Sequence, residues 1–163
     1  MSEASVIRAA VPDDYEQIAA LLAEVDELHR AQLPWLFGAP TIDPRPLRFF
    51  EQLLAGDNSI ILVADAGSIV GTAKVLLRSA PEFPVFIQQT WAVLDNIAVA
   101  KAWRRRGVGT ALTHAAEAWA QQQNVKWLEL GVYEFNAGAR AFYETLGYLP
   151  VSTKLRKPLL PNG

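Results

Sequence analysis

The 163-residue chain predicts a single α/β domain built on a mixed sheet. Three observations carry this. The composition, 51% hydrophobic and 20% charged, is that of a globular chain long enough to bury a substantial core. Strand-like and helix-like runs follow one another in the order β-α-α-β-β-β-α-β-α-β. Between residues 90 and 134, strand, helix and strand succeed each other, which requires a right-handed parallel crossover inside a sheet otherwise made of hairpins.

Taken in order, SVIRAA is a short apolar strand. In the segment VPDDYEQIAALLAEVDELHRAQ, Ile18, Leu21, Leu22, Val25 and Leu28 recur at helical spacing, with Pro12 suited to the first turn. Residues 33–46 hold four prolines and a glycine and read as a loop, with Trp35 and Phe37 as aromatics that pack over something. LRFFEQLLAG is a short second helix ended by Gly56. Two β-rich runs around Asp65-Ala66-Gly67-Ser68 form a hairpin. PEFP punctuates the chain before a long strand, roughly Ile87 to Val99. After Gly107 and Gly109, the residues Val108, Ala111, Leu112, Ala115 and Trp119 line one helical face. VKWLELGVYEF is the next strand. Asn136 is placed to cap the following helix at its start and Gly147 at its end. YLPVSTKLRKPL supplies a last strand, before a flexible tail over 158–163.

A net charge of −2 gives no reason to expect nucleic acid or a membrane surface as partner. The absence of cysteine excludes disulfides, thiolate metal sites and a cysteine nucleophile, and it fits a reducing compartment. Two separated histidines do not make a metal site, so no metal is expected. The first residues lack the pattern of a secretory signal and no apolar run is long enough to span a bilayer, so the expectation is a soluble, cytoplasmic protein.

Against this acidic background Lys101, Arg104, Arg105 and Arg106 stand immediately before Gly107-Val108-Gly109. A strand that passes through a glycine turn into a helix leaves several N–H groups pointing outward. With the helix dipole they form an anion site, and flanking arginines reach further phosphate oxygens. The plainer alternative is an ordinary glycine turn beside a solvated charged face. A triphosphatase loop is disfavoured, because no Lys-Ser/Thr pair follows the second glycine. A dinucleotide fingerprint lacks its third glycine.

RRRGVG resembles the R/Q-x-x-G-x-G/A signature of the GNAT superfamily of N-acetyltransferases, with Arg104, Gly107 and Gly109 at the defining positions. LDNIAV is similar to the strand before that signature, and ALTHAAEAWA to the helix after it. NAGARAFYETLGY is similar to the family's second motif. The resemblance implies a mostly antiparallel sheet whose central parallel pair splays apart to admit the arm of acetyl-CoA. It implies that residues 104–110 (Arg104, Arg105, Arg106, Gly107, Val108, Gly109 and Thr110) hold the cofactor's pyrophosphate. Ile97 and Val99 would pair with the pantetheine arm, and Asn136 would contact it. An N–H near Ile97 or Ala98 would hold the oxyanion. Tyr143 matches the tyrosine that protonates the departing thiolate. Asp95 falls where related enzymes carry a glutamate that takes the amine's proton through water. Asn136 and Tyr143 also have plainer readings, as helix cap and packing aromatic, and Asp95 as a strand residue paired with a surface cation.

The activity so implied is transfer of acetyl from acetyl-CoA to a primary amine, with a small molecule favoured over a protein N-terminus or lysine as acceptor. Glu27, His29, Trp35 and Phe37 are the candidate acceptor-binding residues; the plainer reading sets the charged ones on a solvated helix face and the aromatics over the core. An acyl-CoA-binding regulatory module without transfer is the rival reading. A homodimer is compatible with the sequence.

Overall fold

The computed structural model describes residues 4–159. Its elements are β1 (Val6–Ala9), α1 (Tyr15–Gln32), α2 (Leu47–Ala55), β2 (Ser59–Asp65), β3 (Ile69–Ser79), β4 (Thr90–Val99), α3 (Val108–Gln122), β5 (Leu128–Leu130) and α4 (Ala137–Thr145). The strands form one sheet in the order β1-β2-β3-β4-β5, antiparallel except for the parallel β4–β5 pair. The chain divides into two compact units, one ending at Gly131 and one beginning at Val132. The first holds the sheet with α1, α2 and α3; the second holds α4 and the C-terminal segment.

Within the first unit the helices take opposite faces of the sheet. Ile61, Val63 and Ala98 pack with Ile18 and Leu21 of α1 and Phe50 of α2. On the other face lies α3, whose buried line is Val108, Leu112, Ala116 and Ala120, with Thr113 beside it. This line runs one position to the side of the expected face, and Ala111, Ala115 and Trp119 are only partly buried. This i, i+4 ridge packs along the sheet. Gly71 of β3 is where it comes closest: a Cβ there would stand 3.0 Å from both Leu112 Cδ1 and Val108 Cγ1.

The β2–β3 hairpin forms as expected. Gly67 turns it at φ +86°, and its N–H donates to Asp65 Oδ1 at 2.9 Å. The far end of β2 is tied to the start of α1 by Arg8, which donates to both Asp14 and Asp65. Hydrogen bonds from Arg8 hold the Asp14 carboxyl below the usual carboxylate range.

Three strand expectations are corrected. The long strand starts at Thr90, not Ile87. Turns around Pro81 and Pro84 precede it, closed by Ala80 N–H donating to Gln89 O at 2.9 Å. β5 spans only Leu128–Leu130, because its pairing with β4 stops at Leu94. Residues 149–159 form no strand. Pro150 and Pro158 remove two backbone donors, and Leu149, Val151, Leu155 and Leu159 stay exposed, at 82–89% of their surface. The rest of the expected tail, residues 160–163, lies outside the described residues.

Candidate active site

The site is organised by one irregularity in β4. Asn96 pairs with Lys74 of β3, but the next pair is Leu94 with Val75, so Asp95 is an extra residue in a β-bulge. Before the bulge, Ala92 N–H donates across to Trp127 O beside β5, at 2.9 Å. Beyond it, Ala100 N–H donates to Val70 O beside β3, at 2.9 Å. Hydrogen-bonding direction alternates along a strand, so Ala98 and Asn96 also turn their backbone to β3, while Ile97 and Val99 turn theirs away. A bulge bends its strand and ends regular pairing, and the β4–β5 ladder stops at Leu94, beside the bulge.

The resemblance assigned pantetheine pairing to Ile97 and Val99, and these two have the outward backbone. The amide of Ala98 belongs to the β3 ladder, which leaves Ile97 as the outward donor of that pair. Val99 O accepts from Arg104 Nε at 3.0 Å, anchoring the basic run to the strand end.

The glycine turn follows directly. Gly107 sits at φ +84° and caps α3 without any side-chain hydrogen bond. The first intrahelical bond returning to it comes from Ala111 N at 2.9 Å, so Val108, Gly109 and Thr110 carry the amides that a helix start leaves unpaired. Arg105 takes the left-handed region at φ 62°, a conformation costing about 1–2 kcal/mol for a non-glycine residue. Arg106 stacks over the Trp103 ring at 5.5 Å, and Arg104 lies 3.9 Å from Glu24 of α1.

The side chain of Asp95 is bonded to Lys74 Nζ at 2.6 Å, the surface-cation pairing of its plainer reading. Lys74 and Asn96 line an open cleft walled by α1, α2 and the sheet. Tyr15, Arg45 and Thr72 are its other polar lining residues. Tyr15 donates its hydroxyl proton to Arg45 O at 2.8 Å, and Arg45 holds Asp26 through two bonds of 2.5 and 2.7 Å.

None of the four expected acceptor-binding residues lines this cleft. Glu27 pairs with Arg30, His29 stacks on Phe37 with centroids 5.3 Å apart, and Trp35 is exposed. Sequence reading missed Lys74, Asn96 and Arg45, which sit in ordinary strand and loop contexts. Gly71 carried a usable signal, since an isolated glycine inside a strand marks close approach by another element.

In the second unit, Asn136 caps α4 by accepting from Ala139 N–H at 3.1 Å. Gly147, at φ +88°, ends it. Gly147 N–H donates to Glu144 O and Tyr148 N–H to Tyr143 O, both at 3.0 Å, the bond pair of a Schellman motif. Tyr143 is buried, with Phe142 and Tyr148 edge-on at 5.0 and 5.5 Å. Burial pushes its phenol up to about 12.

Residues 22–148 match the model of the acetyltransferase (GNAT) family. The chain belongs to this family. It is 30% identical over 143 residues to YhfO of Bacillus subtilis, an uncharacterised N-acetyltransferase, covering 87% of this chain and 88% of that one. Among solved structures it is similar to a mutant of the BH1408 protein from Bacillus halodurans, with a TM-score of 0.88, 27% identity, and 95% and 99% of the two chains covered. It shares its fold with the aminoglycoside N-acetyltransferase AAC(6')-Iy solved in complex with CoA, at a TM-score of 0.71 and 17% identity over 94% and 98% of the chains. The protein is thus an N-acetyltransferase of a family that uses acetyl-CoA, and the matched span includes both the glycine turn and the α4 motif.

Proposed function

We propose that this acetyltransferase moves acetyl from acetyl-CoA to the primary amine of a small molecule by direct attack, with no acyl-enzyme. The observation that carries the cofactor half is the β4–α3 passage. There the outward backbone of Ile97 and Val99 leads into a glycine-opened helix start with uncapped amides and adjacent arginines. Extended backbone suits the amide-bearing pantetheine arm; helix-start amides suit a pyrophosphate. When bound, acetyl-CoA supplies the activated acyl group.

The amine must lose a proton before or as its nitrogen attacks. Asp95, by its place in the bulge, is the residue proposed to accept it through water, and Lys74 holds the carboxylate in one position. The Ile97 N–H is the proposed donor to the developing oxyanion. As the C–N bond forms and the C–S bond breaks, Tyr143 is proposed to give its proton to the thiolate. Its support is the motif NAGARAFYETLGY, in which Tyr143 holds the position of the family's acid. The aminoglycoside N-acetyltransferase of like fold takes a small-molecule amine, an acceptor of the same general class.

The test is free-thiol release from acetyl-CoA against polyamines, aminoglycosides, apolar monoamines, amino acids, and lysine or N-terminal peptides. The chain has no cysteine, so it adds no thiol of its own. Release driven by a small amine is the expected result. Acetyl-CoA binding without release on any amine would overturn the reading in favour of a regulatory acyl-CoA module, and release on peptides alone would overturn the acceptor class.

A further inference from the structure

The cleft between α1, α2 and the sheet differs in chemistry from what a polycationic acceptor needs. Its walls are Ile18, Leu22, Phe49, Phe50, Leu53 and Ile61. Two cations, Arg45 and Lys74, line it, and among the described residues no carboxylate does. Of the nearby carboxylates, Asp26 is bonded to Arg45 and Asp95 to Lys74, while Asp43, outside the lining, accepts from the Tyr15 hydroxyl and the Arg45 N–H. The Lys74 ammonium also sits 5.9 Å from the centre of the Phe49 ring, so that ring already faces a cation. The Thr72 hydroxyl donates to Leu62 O and the Tyr15 hydroxyl to Arg45 O. A second ammonium held within this lining would meet aliphatic and aromatic carbon, the neutral Asn96 amide or like charge, and no carboxylate of the lining itself.

From this we infer that the acceptor is a primary amine on an apolar, aromatic-sized body with no second positive charge. This rests on the transferase reading. It places the apolar body against the α1 and α2 walls and the amine toward Asn96 and the bulge of β4. The aminoglycoside acetyltransferase of like fold shares 17% identity, which fixes the fold and leaves the acceptor chemistry to each chain's own cleft.

The experiment is steady-state thiol release by the full chain with phenethylamine and tryptamine against spermidine and kanamycin. The apolar monoamines are expected to show kcat/KM at least about tenfold above either polycation. Phe49→Ala is expected to raise KM for phenethylamine about tenfold, in line with losing much of one aromatic contact, while KM for acetyl-CoA stays in place. Phe49→Leu should recover part of the loss. Melting curves confirm that both variants fold; Phe49 is 44% exposed, so its truncation leaves the core intact. Preference for spermidine or kanamycin, or a phenethylamine KM indifferent to Phe49→Ala, would overturn the inference. Binding of the unreactive product N-acetylphenethylamine, measured by calorimetry, reads the cleft without chemistry. Product binding weakened by Phe49→Ala, with no thiol release on any amine, would sustain the cleft and sink the transferase reading. Absence of both would sink both.

Discussion

The two helices nearest the family motifs are opened in opposite ways. α4 begins at Asn136, whose side chain takes the Ala139 N–H, and its far end is closed by Gly147 in a Schellman motif. α3 begins at Gly107 in the left-handed region and no side chain caps it. A capping side chain contributes about 1 kcal/mol to a helix. α3 forgoes that contribution at the one place where the basic run Arg104-Arg105-Arg106 meets the chain. The contrast separates two uses of the same backbone geometry: one helix start is closed for stability, the other keeps its donors for a ligand.

The sharpest way to break that comparison is to show that α4 does the chemistry only through its packing. Tyr143→Phe should lower kcat by roughly 100- to 1000-fold, the usual worth of a positioned acid, with the Kd of acetyl-CoA unchanged in calorimetry. A parallel loss of affinity would make Tyr143 a packing residue beside Phe142 and Tyr148. The pH profile sharpens the point. Burial raises the phenol from its ordinary value to about 12, so the proton donor persists through pH 10 and turnover should show no alkaline fall from this group below that. The sign for stability is the same. A raised acid favours the folded state fully below pH 10, and that contribution is lost as pH climbs toward 12.

Next in size is Gly107→Val. A β-branched residue at φ +84° is strained, so the helix start must shift. Acetyl-CoA should bind at least about tenfold more weakly, a loss of roughly 1.4 kcal/mol. Gly71→Ala tests the seat beneath it. The added methyl group would press on Leu112 and Val108 at 3.0 Å and cost about 1–3 kcal/mol in denaturant unfolding. The smallest effect belongs to Asn136→Ala, about 1 kcal/mol of stability from the lost cap. A loss of cofactor affinity beside that loss of stability would give Asn136 the second role its motif implies, contact with the cofactor arm.

Much of this was legible from residues alone. Apolar spacing gave the helices, Asp65-Ala66-Gly67-Ser68 gave the hairpin, and Gly107 and Gly147 marked backbone that only a glycine adopts easily. The bulge at Asp95 was not legible, because no residue type there demands an unpaired position; only the register between two strands reveals it. The cleft lay hidden for a related reason. Lys74 and Arg45 are far apart in the chain and look like ordinary charged residues until folding brings both to one cleft. The C-terminal strand failed because β-leaning composition is not enough. A strand exists only where a partner edge accepts its ladder, and residues 149–159 show none among the described residues.

The bulge also makes β4 sensitive to length as well as to identity. Replacing Asp95 alters one side chain. Deleting it would restore a regular count along the strand, so the residues on either side would trade edges: Ile97 and Val99 would hand their amides to the neighbouring strand, and the outward edge would fall to residues now facing inward. Among deletions of one residue, those in the 33–46 loop should be absorbed, while one at position 95 should abolish cofactor binding even with every motif intact.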